Sequence, residues 1–424
     1  MNDQNSKRLF YGSCFALITT AFSFSIRAGI LPQLGETFNL SATQLGLINS
    51  MWFLGFPISM VLGGIFYSTI GPKRIMIFAF FAHTLGIVMT IYSGGYVGLL
   101  ISTLFIGLGN GCTEAACNPM IAAAYKGKVM NTLLNRFHMW FPGGIVLGSL
   151  VSFFMTKMNW SWEAQIWIIM IPTLIYAFLF YGQAFPEPKK EVASLKENLK
   201  AMSPIVRTGG RWSITPLFIF ICICMSLTAI SEFGPTQWAQ LVLAKSGAEP
   251  MVILALITGL MAVGRYFGGE FVHKFDQTGV LLGSAIFTTI GIFLLSTQTG
   301  AMAYVAAVIF AMGVCYFWPN MIGFIAEKMP LSGAIGMSIV GAVGMFSSSI
   351  WQGIIGGWID SAGEKASSMG LQGDALELAA GQATLQKMMT FPIILIVLFT
   401  ILLFWVRKRK TNEKSIAVGA GIES

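Results

Sequence analysis

Hydrophobic and polar positions alternate along this chain in long blocks. Apolar runs of about 20 residues or more, long enough to cross a bilayer as helices, are separated by Gly, Pro and charged residues. This pattern predicts an all-α polytopic membrane protein, because helices satisfy their own backbone groups in lipid. We predict twelve transmembrane helices, at 9–31, 43–68, 74–93, 95–124, 132–156, 163–184, 212–234, 250–272, 279–297, 301–326, 332–358 and 386–406.

The longest polar connection divides these spans into two groups of six. It covers 185–211, starts with a Pro-rich segment and is basic. The two groups carry similar features in the same order, such as Asn118-Pro119 in the fourth span and Pro319-Asn320 in the tenth. Parallel repeats of this kind are typical of transporters. We therefore predict two pseudo-symmetric six-helix bundles around a central cavity, at 1–184 and 212–424, joined by a cytoplasmic linker, with a basic tail on the second bundle.

Charge is scarce and unevenly placed. Charged residues make up 10% of the chain, against roughly 25% in soluble domains. Of the 26 Lys and Arg residues, Arg27 and Arg265 fall within spans, 20 fall on one side, and four fall on the other. Those four are Lys157, Lys245, Lys365 and Lys387. Because cytoplasmic connections carry the excess of Lys and Arg, we predict a multi-pass protein of the cell inner membrane with both termini in the cytoplasm.

The sequence lacks the catalytic and nucleotide-binding motifs that are common in soluble enzymes. It has no Gly-x-x-x-x-Gly-Lys-Ser/Thr phosphate loop, no His-Glu-x-x-His and no nucleophile elbow. The six cysteines lie inside apolar runs, as free buried thiols do. There is no basic–aromatic patch of the kind that binds nucleic acid. We therefore expect no enzyme activity, no metal, no cofactor and no nucleic-acid partner.

Glu114 is the only charged residue in the apolar run 95–124. A carboxylate in hydrocarbon costs a few kcal/mol and is usually retained to handle an ion, a proton or a substrate. Asn110, Glu114 and Asn118 are spaced i, i+4, i+8, so they share one helix face. The alternative is a structural polar residue bonded to a neighbouring helix.

Two further charges are predicted at similar depth in the outer half of the membrane. Arg27 lies late in the first span and Glu232 late in the seventh, and both helices run outward. If these spans face each other, the two residues form a salt bridge, either static or broken during transport. Gln237 and Trp238 follow Pro235 and offer an amide and an aromatic plate near the external mouth, although a lone Trp there is often a belt residue.

Other polar residues lie nearer the cytoplasmic side. His138, early in the fifth span, is a candidate proton-relay partner for Glu114, and Asn135 shares its face. Arg265, in the eighth span, is a candidate partner for a buried carboxylate or part of a gate. His83 is expected to be a packing or interface residue.

Several of these residues stand in motifs that keep their order across both halves. The motifs are GLGNGCTEAACNP at 107–119, LN at 134–135 followed by His138 and GG at 143–144, Glu232 with Trp238, GR at 264–265 with GG at 268–269, WPNMI at 318–322 and GGWID at 356–360. They resemble the fucose–proton symporter family of sugar permeases, within the major facilitator superfamily. This resemblance implies the twelve-helix fold, a central sugar site and gradient-coupled symport.

The sequence departs from that family in two places. Ser68 stands where the superfamily usually carries an Asp between helices two and three, and Ala28 stands where fucose symporters carry an Asp thought to exchange protons. A one-carboxylate route through Glu114, a sodium-coupled variant and an uncoupled carrier all stay open. Arg27, beside Ala28, favours a substrate bearing a carboxylate or phosphate, such as a uronic or sialic acid.

These observations predict an importer of a sugar or sugar-like solute that works by alternating access and is coupled to protons through Glu114, with Glu232 and His138 as further coupling candidates. Arg27 and Arg265 are the predicted gating or charge partners. The predicted substrate-binding residues are Glu114, Asn110, Asn118, Arg27, His138, Asn135, Glu232, Gln237, Trp238, Trp318 and Asn320.

The expected partners are a small solute, a co-transported proton or sodium ion and the lipid bilayer, with the protein acting as a monomer. The main alternative is a transporter of an organic anion, an amphiphile or a drug, with Arg27 as the anion partner. A non-transporting sensor or scaffold is a weaker alternative, because the chain has no sizeable soluble domain to carry a signal. A membrane-embedded enzyme is the weakest alternative.

Overall fold

The computed structural model describes residues 3–125, 127–186, 205–208, 211–214, 216–266, 268–329 and 333–419. In this part the chain is helical except for one antiparallel hairpin. The elements are α1 (Asp3–Phe38), α2 (Ala42–Ile91), α3 (Tyr96–Ala124), α4 (Gly127–Lys157), α5 (Trp162–Phe180), β1 (Ile205–Thr208), β2 (Arg211–Ile214), α6 (Pro216–Gln237), α7 (Ala239–Val242), α8 (Pro250–Tyr266), α9 (Gly268–Thr297), α10 (Ala301–Val314), α11 (Phe317–Lys328), α12 (Gly333–Ser368), α13 (Gly373–Met388) and α14 (Thr390–Gly419).

The predicted all-α membrane fold is confirmed. Ten helices of the described chain are long and apolar enough to cross a membrane, and Pro250–Tyr266 is a shorter apolar helix. Helix α2 holds the second and third predicted spans, which meet at Gly71, where φ is 77°. Asp276 has a φ of 61° and makes the corresponding bend in α9. The separation of Gly71 and Asp276 along the chain equals that of Arg27 and Glu232. The two halves therefore repeat each other in backbone conformation as well as in the positions of these charged residues.

Two predicted boundaries need correction. The seventh span was expected to start at 212, but Arg211–Ile214 is a strand paired with Ile205–Thr208, and the helix starts at Pro216. The eleventh span was expected to end at 358, but α12 continues to Ser368, and a further helix, α13, precedes α14. Most of the predicted linker at 185–211 lies outside the described residues.

The tenth predicted span is broken into α10 and α11 at Cys315 and Tyr316. Pro319 explains the break, because its ring nitrogen cannot donate the helical hydrogen bond to the carbonyl of Cys315, four residues earlier. The freed carbonyl accepts a hydrogen bond from Arg265 Nε at 3.0 Å. An irregular backbone of this kind is tolerated at membrane depth where protein groups satisfy it.

Close helix packing holds the first half together. Helix α1 is the most buried span and packs against α4 and α5, while α3 packs along α2. Small residues let α3 approach α2: a Cβ atom added to Gly111 would lie 2.0 Å from the carbonyl oxygen of Phe56. Gly64, also on α2, has no atom within 4 Å of the position of an added Cβ.

These two glycines make a matched pair for a stability test. We expect Gly111→Ala to destabilise the fold by about 1–3 kcal/mol, because overpacking forces backbone shifts. Gly64→Ala meets no neighbouring atom and should stabilise the fold by up to about 1 kcal/mol, because Ala favours a helix interior over Gly. Thermal unfolding of the purified variants in detergent measures this difference. Equal midpoints for the two variants would contradict the α2–α3 contact.

Candidate functional site

The two halves of the protein meet at one end of the helix bundle, which we call the sealed end. It carries the α1–α2 connection, Asn39–Ser41. Here the carboxylate of Asp360, on α12, accepts hydrogen bonds from the backbone N–H groups of Ala42 and Thr43, both at 2.8 Å, and from the Thr43 hydroxyl. Asp360 therefore caps the N-terminus of α2 from the opposite half, where a negative charge is stabilising.

Below this cap, α2 and α12 pack closely through small residues. A Cβ atom added to Gly46 would lie 2.3 Å from the Gln352 carbonyl oxygen, and one added to Gly356 would lie 2.2 Å from that of Ala42. Ser50 Oγ donates to the carbonyl of Ser349, and Ser349 Oγ donates to that of Ser50 at 2.9 Å. Such small-residue contacts let transmembrane helices approach closely.

Ion pairs at the sealed end are exposed and therefore weak. Lys157 on α4 lies 2.7 Å from Glu249, which precedes α8, beside a cavity of about 240 Å³ between the halves. Lys245 lies 2.9 Å from Asp374 within the second half, and this hydrogen bond raises the pKa of Lys245. The seal therefore depends mainly on helix packing between the halves, at α2–α12 and where α4 packs against α8.

Arg27 lies deeper, where α1 meets α6. Its side chain is buried, with 5% of the residue exposed. Its Nη2 group donates to Gln237 Oε1 at 2.9 Å, and Gln237 donates in turn to the Phe24 carbonyl at 3.2 Å. The guanidinium lies over the Trp52 ring, 5.2 Å from its centroid. In the described part no carboxylate lies within 4 Å, and Arg27 Nε and Nη1 have no hydrogen-bond partner.

A buried hydrogen-bond network fixes the indole under Arg27. Trp52 Nε1 donates to Ser23 Oγ at 2.9 Å, and Asn110 Nδ2 donates to the same oxygen at 3.2 Å. His83 Nε2 lies 2.9 Å from Asn110 Oδ1, and His83 Nδ1 lies 3.0 Å from the Tyr176 hydroxyl. Both polar atoms of the Asn110 side chain are thus engaged inside the first half in this conformation, and its predicted substrate contact stays a prediction.

Glu114 is half-buried on α3. Its Oε2 atom accepts a hydrogen bond from Asn118 Nδ2 at 2.6 Å. Ile101 and Ala123 are exposed on the same helix, and at about 100° per residue they lie roughly 140–180° around the axis from Glu114. Ala122, also exposed, lies roughly 80° away, so Glu114 lies to one side of the exposed face of α3 and not at its centre. Asn118 Oδ1 is buried and has no hydrogen-bond partner.

Glu232 pairs with Arg265, not with Arg27. Glu232 Oε1 lies 3.8 Å from Arg265 Nη2, within the second half. The salt bridge between Arg27 and Glu232 considered from the sequence is therefore wrong in this conformation. The reason is that Gln237, more than one helical turn after Glu232, lies at the depth of Arg27.

The remaining predicted site residues are dispersed. His138 is exposed and contacts the Phe137 ring, and no hydrogen bond or ion pair joins it to Glu114 among the residues described. Trp238 is fully buried in the hydrophobic core of this conformation. Trp318 is half-buried, and Asn320 bonds to the Tyr316 carbonyl of its own helix. The side chain of Asn135 lies outside the described part.

Sequence reasoning missed several residues that surround Arg27. Trp52 and Ser23 stand in unbroken apolar or small-residue stretches, where nothing marks them as polar partners. His83 carried a signal, because a His within a membrane span is rare and faces the bundle interior. Among the described residues, no three His, Cys, Asp or Glu side chains group as a metal site.

Comparison with known proteins identifies a family model and relatives of one kind, membrane transporters. The family model described as "Major Facilitator Superfamily" matches residues 13–371. The "Hexuronate transporter" of Bacillus subtilis (strain 168) is 26% identical over 306 residues, which cover 66% of this chain and 70% of that protein. The "Cis,cis-muconate transport protein" of Acinetobacter baylyi is 21% identical over 306 residues, 68% of this chain and 72% of that one.

Solved structures share the fold. A bacterial homolog of the human lysosomal transporter Spinster, in an inward-facing and unoccupied conformation, aligns with a TM-score of 0.72 at 17% identity, over 94% of this chain and 96% of that one. At this identity the likeness concerns the fold alone.

The contribution of the Asp360 cap to closure of the sealed end can be tested by substitution. Asp360→Asn removes the charge and replaces one acceptor oxygen by an NH₂ group, so at least one of the three hydrogen bonds is lost. A loss of about 1–3 kcal/mol shifts the equilibrium about 5–150-fold towards opening of the sealed end. We expect a cysteine introduced by Ser50→Cys, which is buried in the seal, to react correspondingly faster with a membrane-impermeant maleimide.

Asp374→Asn is the control for this measurement. Asp374 also lies at the sealed end, but its partner Lys245 belongs to the same half, so its loss should leave the labelling rate unchanged. If Asp360→Asn and Asp374→Asn gave the same rate, the cap would have no part in the seal.

Proposed function

The chain belongs to the major facilitator superfamily, and on that premise we propose that this secondary transporter imports a sugar acid by alternating access, coupled to protons through Glu114. The proposal joins the two substrate classes considered from the sequence. A sugar acid carries the hydroxyl groups of a sugar and the carboxylate of an organic anion.

The buried charge of Arg27 is the observation that carries this proposal. A guanidinium removed from water is costly unless a counter-charge and hydrogen bonds compensate it, and Arg27 has only an amide acceptor and an aromatic face. Its unpartnered nitrogens, Nε and Nη1, each offer N–H donors to a carboxylate oxygen. Nη1 together with the second N–H of Nη2 forms one of the forks through which a guanidinium binds a carboxylate in a bidentate manner. A substrate carboxylate supplies the missing charge.

The sugar part of the proposal has weaker but independent support. The sequence motifs resemble the fucose–proton symporters, and a relative carries the name hexuronate transporter. That relative and the muconate transport protein are both named for acids. These names favour an acidic substrate over a neutral sugar such as fucose.

Proton coupling is assigned to Glu114 because of its surroundings. It is half-buried, lies to one side of the exposed face of α3 and is bonded to one amide. A carboxylate in that position can bind a proton when one side of the membrane is accessible and release it when the other side is. Glu232, by contrast, already has Arg265 as a charge partner, so we place it second.

The charge distribution suggests how the molecule is oriented. The excess of Lys and Arg indicates cytoplasmic termini in an inner membrane, which makes the sealed end external. In this orientation the conformation is inward-facing, because the external path is sealed where α2 packs against α12.

Glu114→Gln tests the coupling. The amide keeps the shape and one acceptor oxygen, which can still bond to Asn118, but it has no titratable proton. We therefore expect uphill accumulation of the substrate to disappear while counterflow of labelled solute continues. Uptake in proteoliposomes, with and without a pH gradient and with and without sodium, measures both. Glu36→Gln, at an exposed site near the sealed end, is the control. Unchanged accumulation by Glu114→Gln would exclude its role in proton coupling.

Substitutions of Arg27 test whether the substrate is an acid. We expect Arg27→Gln to lower the apparent affinity for an acidic substrate at least tenfold, since hydrogen bonds to charged groups contribute about 1.5–3 kcal/mol. Arg27→Lys should recover part of the loss, because it restores the charge without the bidentate geometry. Initial rates of uptake over a range of substrate concentrations give these values. Equal affinity in Arg27→Gln and the wild type would refute carboxylate binding by Arg27.

A further inference from the structure

Two amides in the seal have no hydrogen-bond partner for any of their polar atoms. Asn49 on α2 and Gln352 on α12 are both 0% exposed, and Asn49 Oδ1 and Nδ2 and Gln352 Oε1 and Nε2 are all unpartnered. Buried amide groups in folded proteins are nearly always bonded. Two such exceptions, on facing helices, call for a ligand.

The two amides lie on the same side of the α2–α12 contact. Gly46 on α2 and Ser349 on α12 mark the contacting faces. Asn49 is three residues after Gly46, and Gln352 is three residues after Ser349, so each is rotated by roughly 60° in the same sense. Because the helices are antiparallel, equal rotations turn both side chains towards the same side.

That side is the one that carries Arg27. Trp52 is rotated further in the same direction from Gly46, by roughly 120° in total, and the Arg27 guanidinium lies over its ring. Asn49 is one helical turn nearer to the sealed end than Trp52. The unpartnered amides therefore form a polar layer between the Asp360 cap and the Arg27 charge.

We propose that Asn49 and Gln352 bind the hydroxyl groups of the substrate, and so distinguish a polyhydroxylated sugar acid from a plain carboxylic acid. This inference rests on the proposed function. When the sealed end opens, α2 and α12 separate and the two amides become accessible on the path to Arg27. Each amide presents a carbonyl acceptor and an NH₂ donor, which matches hydroxyl groups that both donate and accept. The substrate carboxylate then reaches Arg27 while its hydroxyls occupy the amides.

The test compares two probes of different hydroxylation. D-glucuronate carries a carboxylate and several hydroxyls, and adipate carries carboxylates and no hydroxyl. We expect Asn49→Leu and Gln352→Met, which keep the side-chain shape, each to weaken inhibition of uptake by glucuronate about tenfold. Inhibition by adipate should change less than twofold. The assay is competition for proteoliposome uptake of whichever labelled probe the wild type transports.

Stability provides a second readout. Replacing an unpartnered amide by an apolar group of the same shape does not destabilise a protein, so both variants should melt at or above the wild-type temperature. Gln165→Met is the matched control: Gln165 is equally buried, but it bonds to Ser152, Gln33 and Thr156 within the first half. It should lower the melting temperature and leave the glucuronate-to-adipate ratio unaltered.

The outcomes separate the two proposals. A wild type that transports neither probe and is not stabilised by either overturns the sugar-acid function and this inference with it. A wild type that transports an acid, together with variants whose glucuronate-to-adipate ratio is unchanged, overturns the role of Asn49 and Gln352 alone. Should either variant fail to fold, Asn49→Thr and Gln352→Leu are measured against the same ratio.

Discussion

An unpaired positive charge buried between two halves of a membrane protein is the constraint on which the rest of this structure depends. The Arg27 side chain is held by Gln237 and by the face of Trp52, neither of which neutralises it. The effective cost of burying such a charge is several kcal/mol. The chain retains Arg27 at a position where an anionic substrate would offset that cost, and this gives an acidic substrate a direct means of stabilising one conformation over another.

The seal above Arg27 is built so that it can open. Its contacts are hydrogen bonds between backbone and short side chains, close approaches at glycines, and one carboxylate on a helix N-terminus. These contacts are specific in geometry but modest in energy, and they join rigid helices and not loops. A rigid-body movement of one half breaks them together. The hydrogen-bond network from Trp52 to Tyr176 lies within the first half, so it is not disturbed by such a movement.

The sequence predicted the fold well because lipid leaves few options for a polypeptide backbone. Ten of the described helices meet the length and hydropathy expected of membrane spans, and the pseudo-symmetry read from short motifs recurs in the paired bends at Gly71 and Asp276. The strand before α6 was missed, since it lies in a polar stretch where a periodic pattern is weak and tertiary contacts decide the conformation.

The site could be predicted only in part. Charged residues in apolar spans stand out, so Arg27, Glu114 and Glu232 were found, but their partners depend on the rotation of each helix to within a fraction of a turn. That rotation is set by packing between distant segments, as in the pairing of Arg27 with Gln237, and spacing along one helix does not reveal it. Neutral polar residues such as Asn49 are less visible still, because only burial without a partner distinguishes them.

The most direct test of the central claim uses the unaltered protein and pairs of solutes that differ only in charge. Thermal-shift titrations would compare each acid with its amide, starting with glucuronate and glucuronamide. If Arg27 requires a carboxylate, any solute that stabilises the protein should do so at a concentration at least tenfold lower as the acid than as the amide. Equal stabilisation by acid and amide, or stabilisation by neutral sugars alone, would contradict the claim.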